Sequence, residues 1–125
     1  MKKLLTRRER RATARSRRAM VRQRAAANRL TASVRRRPRS LATHLIASGV
    51  DRETASGVAS ALRTVAKRLG VEPAVTALTR RTVAGGRAHQ THTVHRFTRP
   101  QVLALKAAYK PRKPEYRAAV ALIAA

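Results

Sequence analysis

The sequence predicts a mainly α-helical fold with one small β-hairpin, built as a compact helical core plus a basic N-terminal helical arm. Apolar residues recur at intervals of three and four over much of the chain, which is the helical period. Thr, Val and Gly become dense only between residues 82 and 97, which indicates the hairpin. The length of 125 residues and the presence of only three aromatic residues limit the chain to one small core of aliphatic side chains and alanine.

Charge divides the chain into two parts. Thirty Lys and Arg residues face five Asp and Glu residues, a formal net charge of +25. Residues 1–39 hold 16 of the basic side chains and a single acid, Glu9. Because this density of like charge repels itself, a bound polyanion lowers the free energy of the chain. Nucleic acid is therefore the expected partner, with DNA favoured and RNA as the alternative.

The arginine-rich arm, residues 1–39, is expected to be helical from about residue 6 to residue 34. This stretch contains good helix formers and no Gly or Pro. Its apolar side is mostly alanine and buries little surface, so the arm is helical or disordered when free. Pro38 excludes the helical conformation from the residue before it, and the arm ends there.

The core, residues 40–125, opens with two helices. Ser40 is a suitable N-cap for a short helix, and Gly49 a suitable left-handed residue at its end. Asp51 caps a longer amphipathic helix that stops at Gly70. Pro73 predicts the start of a third helix, because proline is favoured in a first turn.

The remaining elements follow from turn and capping signals. The pair Gly85-Gly86 predicts a hairpin over about residues 82–97. Two C-terminal helices are expected over about 99–109 and 114–125, separated by prolines.

The segment from Ala66 to Arg81 resembles a helix-turn-helix, because Ala66 and Gly70 have the spacing at which two helices approach and turn. With the hairpin as a wing, residues 41–97 are similar to a winged-helix DNA-binding domain, so the core is expected to be of winged-helix type. The same Gly70 is also an ordinary helix C-cap in any helical bundle. The resemblance implies that the third helix enters the major groove of DNA, with the wing touching the backbone or minor groove.

The predicted nucleic-acid-binding residues fall into two groups. The core group consists of Thr76, Thr79, Arg80, Arg81, Arg87 and Arg96. The arm group consists of Arg7, Arg8, Arg10, Arg11, Arg15, Arg17, Arg18, Arg22, Arg24, Arg35, Arg36, Arg37 and Arg39. Arginine suits both roles because its planar fork bonds guanine or clamps a phosphate.

Several functions are not expected. The absence of Cys excludes disulfides and thiolate metal sites. His89, His92 and His95 recur every third residue, which places neighbours on opposite faces of a strand, so no metal site is predicted. Five scattered acids offer no ligand set for a two-metal nuclease, and neither catalysis nor a cofactor is expected.

No stretch of the sequence is long and apolar enough to cross a bilayer. The expected location is cytoplasmic, or nucleoid-associated in a bacterium, although the arm also has the composition of an organelle transit peptide. A membrane-surface role for the arm is disfavoured because it lacks Trp and Phe.

Taken together, these observations predict a small DNA-binding regulator or accessory factor, acting for example in transcription regulation. The alternative is an RNA- or ribosome-associated structural protein whose arm folds into a charged RNA groove. A homodimer is compatible with the sequence.

Overall fold

The computed structural model describes residues 3–82, 85–86 and 89–124. Its elements, in chain order, are α1 (Arg7–Arg36), α2 (Leu41–Ala47), α3 (Arg52–Leu69), β1 (Val75–Thr82), β2 (His89–Arg96), α4 (Arg99–Ala108) and α5 (Pro114–Ala121). The two strands form an antiparallel hairpin. The described part of the chain is therefore mainly helical with one small hairpin, which confirms the coarse fold class.

The helix ends follow the local signals in the sequence. The Ser40 hydroxyl accepts a hydrogen bond from the amide of Thr43, and the Asp51 carboxylate accepts one from the amide of Thr54. Each bond satisfies an amide that the first helical turn leaves without a partner. Gly70 ends α3 in the left-handed conformation, with φ of 70°, as only glycine does without strain.

The core lies among α2, α3, α4 and α5. Leu45, Leu62, Leu105 and Ile123 are completely buried there. Alanines and one glycine of α3 let its neighbours approach closely: a Cβ added at Gly57 would lie 2.9 Å from a ring carbon of Tyr116 at the N-terminal end of α5. Small residues on α3 thus compensate for the scarcity of large aromatic side chains in the core.

A buried histidine links three of these elements. His44 on α2 is fully buried, and its Nε2 atom lies 2.8 Å from the carbonyl oxygen of Phe97 at the end of β2. Because that carbonyl only accepts, Nε2 carries the proton and Nδ1 faces a guanidinium nitrogen of Arg99 at 3.5 Å. Burial lowers the pKa of His44, and the nearby Arg99 and Arg39 lower it further. The neutral ring is therefore the form that fits the fold.

The helix predicted from Pro73 is wrong, since Val75–Thr82 is strand β1. It pairs with β2 in a register that runs from Val75 opposite Arg96 to Thr82 opposite His89. Val and Thr favour extended backbone, and the Thr-rich β2 supplies a hydrogen-bonded partner that a helix would forgo. A helix from Pro73 would turn Val75 and Leu78 toward the core, whereas on β1 they are 41% and 74% exposed.

This change affects the helix-turn-helix resemblance directly. The helix that should follow Gly70 is a strand, so Thr76, Thr79, Arg80 and Arg81 lie on β1 and not on a recognition helix. The hairpin is also longer than predicted, because its first strand begins at Val75 instead of near residue 82.

The C-terminal part of the arm, from about residue 30 to residue 39, packs against the core. Val34 near the end of α1 is 2% exposed, and α1 contacts α2 and α4. Beyond the helix, Arg39 exchanges two backbone hydrogen bonds with Phe97, of 3.0 and 2.8 Å. The free part of the arm therefore ends near Leu30, about nine residues before the predicted boundary at residue 39.

Candidate nucleic-acid interface

Helix α1 extends far beyond the core. Its 30 residues span about 45 Å at 1.5 Å per residue, yet Val34 is its only buried residue. The helix opens with a capping box in which the Glu9 amide donates to the Thr6 hydroxyl and the Glu9 carboxylate accepts from the Thr6 amide. Hydrogen bonds from the Thr6 backbone and side chain to the Glu9 carboxylate lower the pKa of Glu9. The capping box holds the first turn without help from the core.

The arginines of α1 share one side of the helix. At 100° per residue they fall within an arc of roughly 200°, and the remaining arc contains no Lys or Arg. That remaining arc includes Leu30 and Val34, which turn toward the core at the C-terminal end. The arginine side therefore faces away from the core. We call it the α1 basic face, formed by Arg7, Arg8, Arg10, Arg11, Arg15, Arg17, Arg18, Arg22, Arg24, Arg29, Arg35 and Arg36.

The structure places the predicted arm residues in two settings. Those from Arg7 to Arg36 belong to the α1 basic face and are exposed. Arg37 follows as the exposed C-cap residue, whereas Arg39 is half-buried and pairs with Phe97 through its backbone. Arg29 is equally exposed and was missed by the sequence prediction, although its place in the same helical arc identifies it.

The cations of this surface are largely unpaired with acids. The chain has five Asp and Glu residues for thirty Lys and Arg, so its cations outnumber these carboxylates six to one. Within α1 the single acid is Glu9, whose carboxylate is already bonded to the Thr6 amide. The α1 basic face is thus a strip of uncompensated positive charge, which attracts a polyanion over a Debye length of about 8 Å at physiological salt.

The predicted core residues are divided between the two faces of the hairpin. Thr76 and Arg80 lie on one face and are exposed, together with Leu78 between them. Thr79 lies on the opposite face, where its hydroxyl donates to the carbonyl of His92 at 3.3 Å.

Two of the other three predicted core residues, Arg81 and Arg96, belong to the paired strands. Arg81 pairs with Gln90 through the backbone register, and Arg96 is half-buried at the base of β2 opposite Val75. Arg87 lies outside the described residues. The described side chains of this group are therefore divided between the two faces and do not form one continuous surface.

Other chemistries find little support in the described ranges. His92 and His95 lie on opposite faces of β2, and within residues 3–82, 85–86 and 89–124 no group of three or more His, Asp or Glu side chains could hold a metal ion. Among the helices in the same ranges, none is both long and apolar enough to cross a membrane.

Comparisons with protein-family models, with curated proteins and with solved structures found no match. The functional proposal therefore depends on the charge and geometry of this chain.

Proposed function

We propose that this protein is a non-catalytic nucleic-acid-binding protein that lays the α1 basic face along a duplex, with DNA as the favoured partner. The observation that supports it is a 30-residue helix whose arginines face away from the core on which it is anchored. An α-helix with its side chains is about 10–12 Å wide, and the major groove of B-DNA is about 12 Å wide. The major groove of A-form RNA is too deep and narrow for an α-helix to enter in this way, which favours DNA.

Affinity would come mainly from the release of counterions from the phosphates. Contact with eight phosphates gives a slope of about −7 in a plot of log K against log salt concentration. Arginine is suited to this contact because its guanidinium is always charged and bonds a phosphate through two donors. A protein of this kind would act as a small regulator or accessory factor, for example in transcription.

Association with structured RNA, including ribosomal RNA, is the second candidate. The burial of the three aromatic side chains favours structured RNA over single-stranded RNA as this second partner. Phe97 is buried, and Tyr109 and Tyr116 are half-buried. Binding of single-stranded nucleic acid commonly relies on bases stacked on exposed aromatic rings, and this chain offers no such platform.

The test compares two variants of the full chain that each lose three exposed arginines. One variant changes the α1 basic face and the other changes the surface of the core, and both lower the net charge from +25 to +22. The variants are R11Q/R15Q/R18Q on α1 and R52Q/R68Q/R112Q on the core.

Binding to a 25-base-pair DNA duplex is measured by fluorescence anisotropy over a series of salt concentrations. If the three α1 arginines contact phosphates, the slope becomes shallower by about 2.7, while the core variant changes it by less than one. Equal effects of the two variants would show that net charge alone, and not the α1 basic face, determines binding. The same titration with duplex RNA of matching sequence distinguishes the two partners, and tighter binding of RNA would replace DNA in the proposal.

A further inference from the structure

We propose that the hairpin and α3 form a second DNA contact, in which one face of the hairpin reads base edges while Arg63 and Lys67 of α3 hold neighbouring phosphates. This inference rests on the proposed function, since it takes duplex DNA as the partner. We call the surface the ribbon face. It consists of Thr76, Leu78 and Arg80 of β1 with their partners His95, Thr93 and Thr91 of β2.

The hairpin projects from the helical core. Each strand has eight residues, a length of about 26 Å. All six residues of the ribbon face are exposed, whereas Phe97, directly after β2, is buried. A two-stranded hairpin alone is marginally stable in water, so a partner along its length would also stabilise it. The major groove of B-DNA admits a two-stranded β-ribbon of this kind.

The ribbon face has the side chains that distinguish base pairs. Arg80 has the donor fork that bonds the O6 and N7 atoms of guanine. Leu78 is 74% exposed and lies opposite Thr93, so the fold gives it no apolar contact across the hairpin. Apolar contact with the methyl group of thymine would remove this side chain from water. Thr76 and Thr93 add hydroxyls that both donate and accept.

The charge of the hairpin suits DNA. Residues 74–98 include four Arg and three His and no Asp or Glu. A partner with a basic surface would meet repulsion here, whereas the phosphates on both sides of a groove would be attracted.

Two adjoining cavities connect the ribbon face to α3. One, of about 540 Å³, lies between the end of α3 and β2, and the other, of about 220 Å³, lies between α2, α3 and β2. Arg63 and His95 line both cavities, and Lys67 lines the larger one. The two α3 cations are one helical turn apart and border the same side of the hairpin as His95 of the ribbon face. Among the residues that line these two cavities, Glu72 of the larger one is the single carboxylate.

The sequence analysis predicted Thr76 and Arg80 as DNA contacts on a helix, but it gives no signal for the α3 part of this surface. Arg63 and Lys67 have the spacing of the solvated side of an ordinary amphipathic helix. Their role becomes visible only because the segment after Gly70 is a strand that brings the ribbon face beside α3.

The test selects binding sites from a pool of DNA duplexes with randomised central base pairs, using full-length protein near physiological salt. Four proteins are compared: the unchanged chain, L78A/R80Q on the ribbon face, R63Q/K67Q on α3, and L122A/R112Q. The last is a control that, like L78A/R80Q, loses one exposed leucine and one exposed arginine. Circular dichroism confirms that each variant retains the fold.

We expect the unchanged chain and the control to enrich the same motif. For L78A/R80Q, selectivity for that motif over a scrambled duplex falls roughly tenfold or more, since a bidentate base contact is lost. For R63Q/K67Q, the salt slope becomes shallower by about 1.8 while the motif is unchanged.

Four results would overturn the inference. Enrichment of the same motif with equal selectivity by L78A/R80Q, or enrichment of no motif by the unchanged chain, excludes base reading by the hairpin but leaves duplex binding by α1 intact. An unchanged salt slope for R63Q/K67Q excludes the phosphate contact. Failure of the unchanged chain to bind any duplex refutes the proposed function itself, and the inference with it.

Discussion

The contacts that Val34 and Arg39 make with the core predict how far the chain can be shortened from its N-terminal end without loss of stability. A chain of residues 30–125 keeps Val34 and the pairing of Arg39 with Phe97, whereas a chain of residues 40–125 loses both. Burial of a valine contributes about 1.5–3 kcal/mol, and each of the two backbone hydrogen bonds about 0.5–1.5 kcal/mol. We therefore expect the free energy of unfolding of the 40–125 chain to be about 3–5 kcal/mol lower than that of the 30–125 chain.

Removing residues 1–29 should not lower the free energy of unfolding and should, if anything, raise it slightly. These residues include twelve Lys and Arg and Glu9, so their removal lowers the net charge from +25 to +14. No residue among the described part of this stretch is buried, and the loss of repulsion compensates for the few contacts that disappear. The 30–125 chain should match the full chain within about 1 kcal/mol.

Urea unfolding followed by tyrosine fluorescence measures these differences, because Tyr109 and Tyr116 are half-buried in the core and the arm has no aromatic residue. Fraying of α1 then does not contribute to the signal. A 40–125 chain as stable as the 30–125 chain would refute the anchoring role of Val34 and Arg39. A loss well above 1 kcal/mol on removal of residues 1–29 would instead show that the exposed part of α1 supports the core.

Two further predictions concern the core. Gly57→Ala should destabilise the protein although alanine favours a helix, because the added Cβ meets the ring of Tyr116. In a Tyr116→Ala background the same change should stabilise the protein by about 1 kcal/mol. Urea unfolding of the unchanged chain, the two single variants and the double variant checks this reversal of sign. Stability should fall as the pH is lowered from 7 toward 5, because the pKa of His44 is lowered in the folded state and the unfolded chain binds the proton more readily. His44→Gln should be less stable at pH 7 but show a flatter pH dependence, and an unchanged slope would place the acid sensitivity elsewhere.

The elements that the sequence predicts well are those determined by their own residues. Ser40, Asp51 and Gly70 mark the ends of α2 and α3 because a cap depends on the residue at the end and on amides within the first or last turn. The long helix α1 is likewise encoded locally, through helix formers and the capping box of Thr6 and Glu9.

The parts that sequence reasoning missed depend on distant partners. Strand β1 has helix-like spacing at Val75 and Leu78, and only pairing with β2, which begins at His89, selects the extended form. The burial of His44 depends on Phe97, 53 residues away, so a local pattern gives no indication of it. Spacing along the chain could identify the candidate arginines of α1 but not the division of Thr76, Thr79 and Arg80 between two faces.

The two proposed DNA contacts meet at one backbone position. The carbonyl of Phe97, directly after β2, accepts hydrogen bonds from the amide of Arg39, just beyond α1, and from the ring of His44 on α2. This junction ties the root of the arm to the base of the hairpin with no flexible linker between them. Binding at one of these proposed contacts would therefore fix the position of the other relative to the duplex, which reduces the conformational entropy lost when a second contact forms. A flexible arm of the same charge would strengthen binding to all sequences, whereas an arm fixed at this junction also restricts the groove and the direction in which the ribbon face can be placed.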